Sequence, residues 1–220
     1  MANSSPSGVR IAIAGAWDRV WAMLITQKFE ALYPDRVRLP LRFDPARLAA
    51  DLAALEGIDW IPHFVPQNYE GEWSVLPLRA PRGATHPVMM ATSPPDVVDF
   101  VPTPFLDHTP YFAEVLAGFA CPTRAARLMR LTPGSVIKEH HDHDLAAEYG
   151  WARIHVPVTT NDAVEFRVNR VPVTMLPGEA WYLRLSDPHS AVNGGDSDRV
   201  HLVIDAVMDD WLAGLLAGRT

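Results

Sequence analysis

The fold is decided by a stretch near the end of the chain, Arg199-Val200-His201-Leu202-Val203-Ile204-Asp205. Alternate residues of a β-strand point to opposite faces, so Arg199, His201 and Asp205 share one face and aliphatic residues share the other. A second stretch, Arg153-Ile154-His155-Val156-Pro157-Val158, repeats the pattern of an arginine two residues before a histidine. If a barrel buried these polar faces, its cavity would be cationic and suited to a carboxylate ligand.

The rest of the second half is also typical of a β-protein. Short runs rich in Val, Ile and Leu are separated by turn sequences such as Asn193-Gly194-Gly195-Asp196. The predicted strands are 126–131, 135–140, 152–158, 163–169, 171–176, 180–185 and 199–207. Short strands at this spacing predict a β-sandwich or a barrel-like jelly roll.

The first half carries helix signals instead. Apolar residues at helical spacing predict a helix over 17–32, and the pair Asp44-Pro45 begins a second helix that ends at Gly57. A third helix is predicted from Thr109 to about Gly118, and a last one over 209–217. Residues 58–108 show little periodicity and predict irregular strands and loops. The expected architecture is therefore mainly β, with an α-helical N-terminal half and flanking helices.

Composition excludes several classes of protein. The 220 residues carry a formal charge of −7, and no dense basic run suggests a nucleic-acid partner. The single cysteine, Cys121, rules out an internal disulfide and a cysteine-based zinc site, which favours a reducing compartment. The sequence contains no run of 18 apolar residues, so no membrane span is predicted. Residues 1–8 resemble a flexible lead-in rather than a signal peptide. We therefore expect a cytoplasmic protein.

A run of imidazoles and carboxylates, His140-His141-Asp142-His143-Asp144, stands out as a candidate metal site. On a strand, His140 and Asp142 would converge on one face. Together with a second imidazole they would form the facial triad of non-haem Fe(II) oxygenases. His189, which directly follows the strand 180–185, is one candidate for that imidazole, and His201 is its rival. The alternative is a solvated acidic loop that binds nothing.

Several segments match one family in order and at similar spacings. They are Arg127–Leu131, Pro133–Ile137, His140–Asp142, Arg153–Pro157, Gly178–Trp181, His189 with Asn193, and Arg199–Asp205. Through them the stretch from about 109 to 211, close to half the chain, resembles the aspartyl/asparaginyl β-hydroxylase family. These are Fe(II)- and 2-oxoglutarate-dependent dioxygenases, and the bacterial L-proline hydroxylases are related to them.

The resemblance implies a cupin-like double-stranded β-helix and a set of site residues. Iron would be held at the catalytic centre by His140, Asp142 and His189, and 2-oxoglutarate by Arg199 with Arg153 and His155 nearby. The enzyme would consume O₂ and hydroxylate an unactivated carbon of an amino acid, a peptidyl residue or an amino-acid-like small molecule. A single dioxygenase domain would span 9–220, with a helical or irregular part to about 125, a β-helix core over 126–208 and a helix over 209–220.

The N-terminal half of the chain matches the family less closely, and this part of the resemblance concerns the residues that would contact the substrate. His63, Tyr69 and Trp73 lie in segments similar to the family's N-terminal part, which implies substrate contacts; the alternative is that these aromatic residues belong to the core. Two other functions stay open. One is a cupin-like metalloenzyme that does not use 2-oxoglutarate, and the other is a barrel that binds a metal or ligand without catalysis.

Overall fold

A computed structural model of the chain describes residues 32–218. The predicted lead-in (1–8) and all but the last residue of the helix predicted over 17–32 lie outside this range. The strands are β1 (Arg36–Arg42), β2 (Ile61–Pro62), β3 (Tyr69–Glu70), β4 (Trp73–Pro81), β5 (Phe100–Pro102), β6 (Thr123–Leu131), β7 (Val136–His140), β8 (Trp151–Thr159), β9 (Val164–Val168), β10 (Val171–Pro172), β11 (Glu179–Leu183), β12 (His189–Asn193) and β13 (Arg199–Val207). The α-helices are α1 (Pro45–Ala53), α2 (Pro87–Ala91), α3 (Pro110–Ala117) and α4 (Asp210–Leu216).

The strands form two antiparallel sheets that build the predicted jelly roll. The larger sheet has the order β1-β11-β8-β13-β6-β4-β2, with β5 added beside β4. The smaller sheet has the order β10-β9-β12-β7-β3. Neighbours in the larger sheet are distant in sequence, so its middle strands β8, β13 and β6 bring residues near 127, 153 and 205 side by side.

The two faces of the larger sheet have opposite environments. Aliphatic residues such as Ile154 and Leu202 pack against the helices, in a cluster with Phe112 and Leu212. The other face looks toward the smaller sheet and carries the polar residues of β8 and β13. Water usually covers the polar face of such a strand. Here the helices cover the apolar face, so the polar residues line the interior.

The helix boundaries follow local chemistry. Asp44 caps α1, because its carboxylate accepts hydrogen bonds from the backbone N–H groups of Ala46 and Arg47. The predicted end at Gly57 is wrong, since the helix ends at Ala53, although Gly57 does adopt a left-handed conformation with φ +79°. Helices α3 and α4 lie within one residue of the limits predicted from the apolar spacing, 109–118 and 209–217, and α4 ends before the described part of the wider range 209–220 does.

The α-helical N-terminal half is not supported by the described part of the chain. Residues 32–125 contribute β1, β4 and β5 to the larger sheet, and their helices are short. The strand β4 could not be predicted from its sequence, because both of its faces are buried and polar and apolar residues do not alternate along it. Pro77 also argues against a central strand, but it stands at a register shift, where proline is tolerated.

The β-core predictions need smaller corrections. The strand predicted over 171–176 contains only the two residues of β10, and β12 was not predicted at all. His189 is thus the first residue of a strand rather than part of a loop. No helix within residues 32–218 combines the length and the apolar character needed to cross a membrane.

Candidate metal and carboxylate site

Three predicted metal ligands lie close together in the smaller sheet, where β7 ends and β12 begins. His140 ends β7 and is paired with His189 at the start of β12, so their imidazole rings lie 4.2 Å apart. Asp142 lies beyond β7, in a loop fixed by the bond from its backbone N–H to the Leu185 carbonyl (2.8 Å). One ligand atom from each residue lies within 4.8 Å of the others. The face-sharing argument for Asp142 assumed a longer strand, but the loop brings the carboxylate to the same place.

Hydrogen bonds orient both imidazoles. The Nδ1 of His140 is 2.7 Å from the Lys138 carbonyl, and the Nδ1 of His189 is 3.0 Å from the Asp187 carbonyl. A carbonyl only accepts, so each Nδ1 carries a proton, and in the neutral form of each ring Nε2 is the nitrogen with a lone pair for a metal. Burial also lowers the pKa of His189 to about 4, which keeps this imidazole neutral. The set of two imidazoles and one carboxylate fits Fe(II).

A buried ion cluster stands behind the carboxylate ligand. Arg153 donates from Nε and Nη2 to Asp205 (2.7 and 3.2 Å) and from Nη1 to Asp142 (2.7 Å). Arg127, on the neighbouring strand, donates from Nη1 to the same Asp205 (3.0 Å). Burial raises the pKa of Asp205, but the two guanidinium groups outweigh it and hold the pKa below its usual range. Arg153 is therefore placed to orient Asp142, and its contact with 2-oxoglutarate stays a prediction.

Arg199 is in a different situation. It is only 2% exposed, and its Nη2 lies 2.9 Å from Nδ1 of His201. Within residues 32–218 no carboxylate pairs with it, and its Nε has no hydrogen-bond partner. Burial lowers its pKa to about 9, so it stays charged at neutral pH. His201, the rival metal ligand, lies beside Arg199 rather than with His140 and Asp142.

Both groups of residues line one cavity of about 360 Å³ between the sheets. The triad, Arg199, His155 and Arg153 all contribute to its wall. A cavity of this size is within the range of small-molecule sites.

The predicted substrate residues form an aromatic wall beside His140. The rings of His63 and Trp73 stack at 3.5 Å with an interplanar angle of 9°, and Trp73 lies 6.3 Å from the His140 ring. Both line the cavity, whereas Tyr69 packs edge-on behind them. In the described structure, Nδ1 of His63 and Nε1 of Trp73 are buried without a partner.

Sequence reasoning missed two arginines in the cavity wall. Arg127 lies between apolar residues in β6, the same signal that singled out Arg153 and Arg199, but it was noted only as part of a family segment. Arg124 stacks on the Trp151 ring at 4.1 Å and donates to the carbonyls of Pro94 and Val97 (2.8 Å to Val97). It thereby fastens the loop after α2 beside the cavity.

Comparison with known proteins identifies a family and two relatives. The sequence profile described as aspartyl/asparaginyl beta-hydroxylase matches residues 46–208. The chain is 29% identical over 168 residues to an L-proline cis-4-hydroxylase of Rhizobium meliloti, covering 75% of this chain and 58% of that protein. It is 28% identical over 174 residues to an L-proline cis-3-hydroxylase of a Streptomyces species, covering 77% of this chain and 59% of that protein.

The fold has a counterpart among solved structures. An oxidoreductase of the 2OG-Fe(II) oxygenase family from Burkholderia pseudomallei superimposes with a TM-score of 0.50 and 18% identity, covering 78% of this chain and 85% of the other. That likeness concerns the fold alone. The family match covers the β-core and every residue of the metal and carboxylate site, and on that match the chain belongs to the aspartyl/asparaginyl beta-hydroxylase family.

Proposed function

We propose that this protein is an Fe(II)- and 2-oxoglutarate-dependent hydroxylase of a small amino acid or an amino-acid-like molecule. The observation that carries the proposal is a buried Arg199, without a carboxylate partner among residues 32–218, in the same cavity as the His140, Asp142 and His189 triad. A buried charge is costly unless a partner compensates it. A dicarboxylate cosubstrate would supply that partner, and its other end would reach the metal.

The triad supports the metal part of the proposal. Two imidazoles whose Nδ1 atoms face backbone carbonyls and one carboxylate would hold the metal and would leave positions for other ligands. Fe(II), 2-oxoglutarate and O₂ would supply the oxidising chemistry that puts an oxygen atom into a C–H bond. The protein's part is to hold these groups, to orient Asp142 through Arg153 and to keep bulk water out of the cavity.

The ion cluster indicates what the substrate carries. The charges of Arg127 and Arg153 face the carboxylates of Asp205 and Asp142, but the Asp142 carboxylate would also bind the metal. Arg127 uses only Nη1 for Asp205, and its other nitrogens make no hydrogen bond within the described part of the chain. A substrate carboxylate fits this place. The L-proline substrates named for the two relatives have such a group, and the aromatic wall of His63 and Trp73 suits the apolar part of an amino acid.

The proposal is tested by measuring succinate and hydroxylated product together. Purified protein is incubated in air with Fe(II), ascorbate, 2-oxoglutarate and L-proline, followed by a panel of other amino acids. We expect succinate and a product heavier by one oxygen atom in equal amounts, and none of either with His140→Ala. The matched control is His141→Ala, because this exposed neighbour turns its ring to the Ser186 carbonyl (3.0 Å) and should keep the activity.

Two results would contradict the proposal. Product formed without 2-oxoglutarate would favour a cupin-like metalloenzyme of another kind. Tight metal binding with neither 2-oxoglutarate binding nor turnover would favour a barrel that only binds a ligand. Arg199, which pairs with no carboxylate among residues 32–218, argues against the first alternative, because a metalloenzyme that does not use 2-oxoglutarate needs no buried cation to bind it.

A further inference from the structure

A chain of buried polar contacts connects Arg199 to His155 through His201. The Nη2 of Arg199 lies 2.9 Å from Nδ1 of His201, and the Nδ1 of His155 lies 3.3 Å from the same atom. All three side chains are at most 5% exposed. The single Nδ1 atom of His201 thus has two neighbouring nitrogens.

The proton positions in this chain follow from donor and acceptor rules. A guanidinium nitrogen only donates, so the Nδ1 of His201 must accept and carries no proton. The Nδ1 of His155 must then carry a proton to make its own bond to that atom. In a neutral His155 the other nitrogen, Nε2, is therefore a bare acceptor. This atom is buried and has no hydrogen-bond partner among residues 32–218, and His155 lines the cavity.

An acceptor in this position is unsuited to the cosubstrate. A carboxylate also offers only acceptors, so it would meet the bare Nε2 of His155 as a repulsive neighbour next to Arg199. A proton on Nε2 removes the conflict, because it turns the same atom into a charged donor and leaves the bond to His201 in place.

We propose that binding of a carboxylate at the Arg199 end of the cavity takes up one proton onto Nε2 of His155. The inference rests on the proposed function, since 2-oxoglutarate is the carboxylate expected there. His201 acts as a positioning residue: by accepting from Arg199 it fixes which nitrogen of His155 faces the ligand.

The surroundings keep His155 neutral until the ligand arrives. Burial and the neighbouring charges of Arg199, on β13, and Arg153, on its own strand, hold the pKa of His155 well below its ordinary value. From β12, His189 has the same effect, and only Asp205 opposes it. On β9 the neighbour is the uncharged Phe166 ring, 5.7 Å away. A ligand carboxylate reverses this balance, because its charge favours the protonated imidazole.

The test is calorimetry of 2-oxoglutarate binding to the Mn(II)-loaded protein without O₂. Titrations at one pH in two buffers of different ionisation enthalpy give the number of protons taken up. We expect about one proton per ligand at pH 7, and an affinity that falls about tenfold per pH unit as the pH rises. His155→Gln can still donate an amide hydrogen but cannot be protonated, so it should bind 2-oxoglutarate with no uptake and little pH dependence.

The control is His108→Gln, an exposed histidine outside the cavity, which should keep the uptake of the unmodified protein. Binding without proton uptake in the unmodified protein would overturn the inference, and would mean that Arg199 leaves His201 and both imidazoles change tautomer. The same uptake in His155→Gln would also overturn it. No binding of 2-oxoglutarate at all would overturn the proposed function, and this inference with it.

Discussion

The two ends of the cavity treat buried arginine in opposite ways. At one end, Arg127 and Arg153 share Asp205, and Arg153 also holds the Asp142 ligand. At the other end, Arg199 is as deeply buried but pairs with no carboxylate among residues 32–218, and its neighbours are the neutral His201 and the Phe166 ring. A compensated cluster belongs to the folded framework, whereas an uncompensated cation costs stability that only a ligand can return. The contrast distinguishes Arg127 and Arg153, which stabilise the site, from Arg199, whose charge only a bound ligand would compensate.

The largest effect is expected from Asp205→Asn. The change leaves two buried guanidinium groups without their shared carboxylate, so the free energy of unfolding should fall by about 3–5 kcal/mol. Urea denaturation followed by circular dichroism measures this loss.

The matched control for that change is Glu165→Gln. Glu165 pairs with Arg167 through two short bonds as well, but on the surface, where water screens the pair and the loss should be much smaller than that of Asp205→Asn. Equal losses from the two substitutions would mean that the buried cluster does not stabilise the framework.

Arg153→Lys tests whether the cluster orients the metal ligand. A lysine keeps the charge but cannot hold Asp142 and Asp205 together, because it lacks the planar fork of arginine. We expect Mn(II) affinity to fall by about 10- to 100-fold, as for other residues that hold a metal ligand in place. Equilibrium titration of the metal measures it. The control is Arg167→Lys, on the surface, which should leave the Mn(II) affinity unchanged. An unchanged Mn(II) affinity in Arg153→Lys would show that Arg153 does not orient Asp142.

The buried histidines and the buried Asp205 should also affect the stability of the protein in different pH ranges. Burial holds the pKa of His155 and His201 well below the ordinary value and lowers that of His63 to about 3. Below about pH 6.5 these histidines bind protons in the unfolded chain but stay neutral in the native protein, so the free energy of unfolding falls as the pH falls. Each such histidine contributes up to about 1.4 kcal/mol per pH unit in that range.

Asp205 acts in a lower window. Its pKa is depressed in the folded state, so its contribution is complete above about pH 4 and is lost only at lower pH. Denaturation of the metal-free protein between pH 7 and pH 3 should therefore show a first decline from the histidines and a second from the carboxyl. A stability that stays flat between pH 7 and pH 5 would contradict the assignment of neutral buried imidazoles.

The smallest effect on stability is expected from Arg199→Met. Methionine has a similar length and removes a buried charge that has no counter-ion within the described residues, so the ligand-free protein should be as stable as before or slightly more stable. The thermal midpoint measures it. A loss as large as that of Asp205→Asn would show that Arg199 is part of the framework and would erase the difference between the two ends.

The sequence predicted which faces of β8 and β13 are polar, because alternation in a strand is local. The same holds for the Asp44 cap. It could not predict which polar neighbours meet, since the contact of Arg153 with Asp205 depends on the register between strands far apart in sequence. It also missed β4, where burial on both sides and Pro77 remove the usual pattern. The expected approach of Asp142 to His140 rested on an incomplete reason, because a loop rather than a strand brings the two residues together.

The central claim is that Arg199 is a carboxylate receptor, and binding of 2-oxoglutarate tests it most directly. The Mn(II)-loaded protein is titrated with 2-oxoglutarate in a calorimeter, together with Arg199→Met and the control Arg130→Met, a half-buried arginine outside the cavity. The account predicts that the unmodified protein and Arg130→Met bind equally well, and that Arg199→Met loses at least about 30-fold in affinity, because a buried charged hydrogen bond is worth 2 kcal/mol or more. Equal binding by Arg199→Met would contradict it.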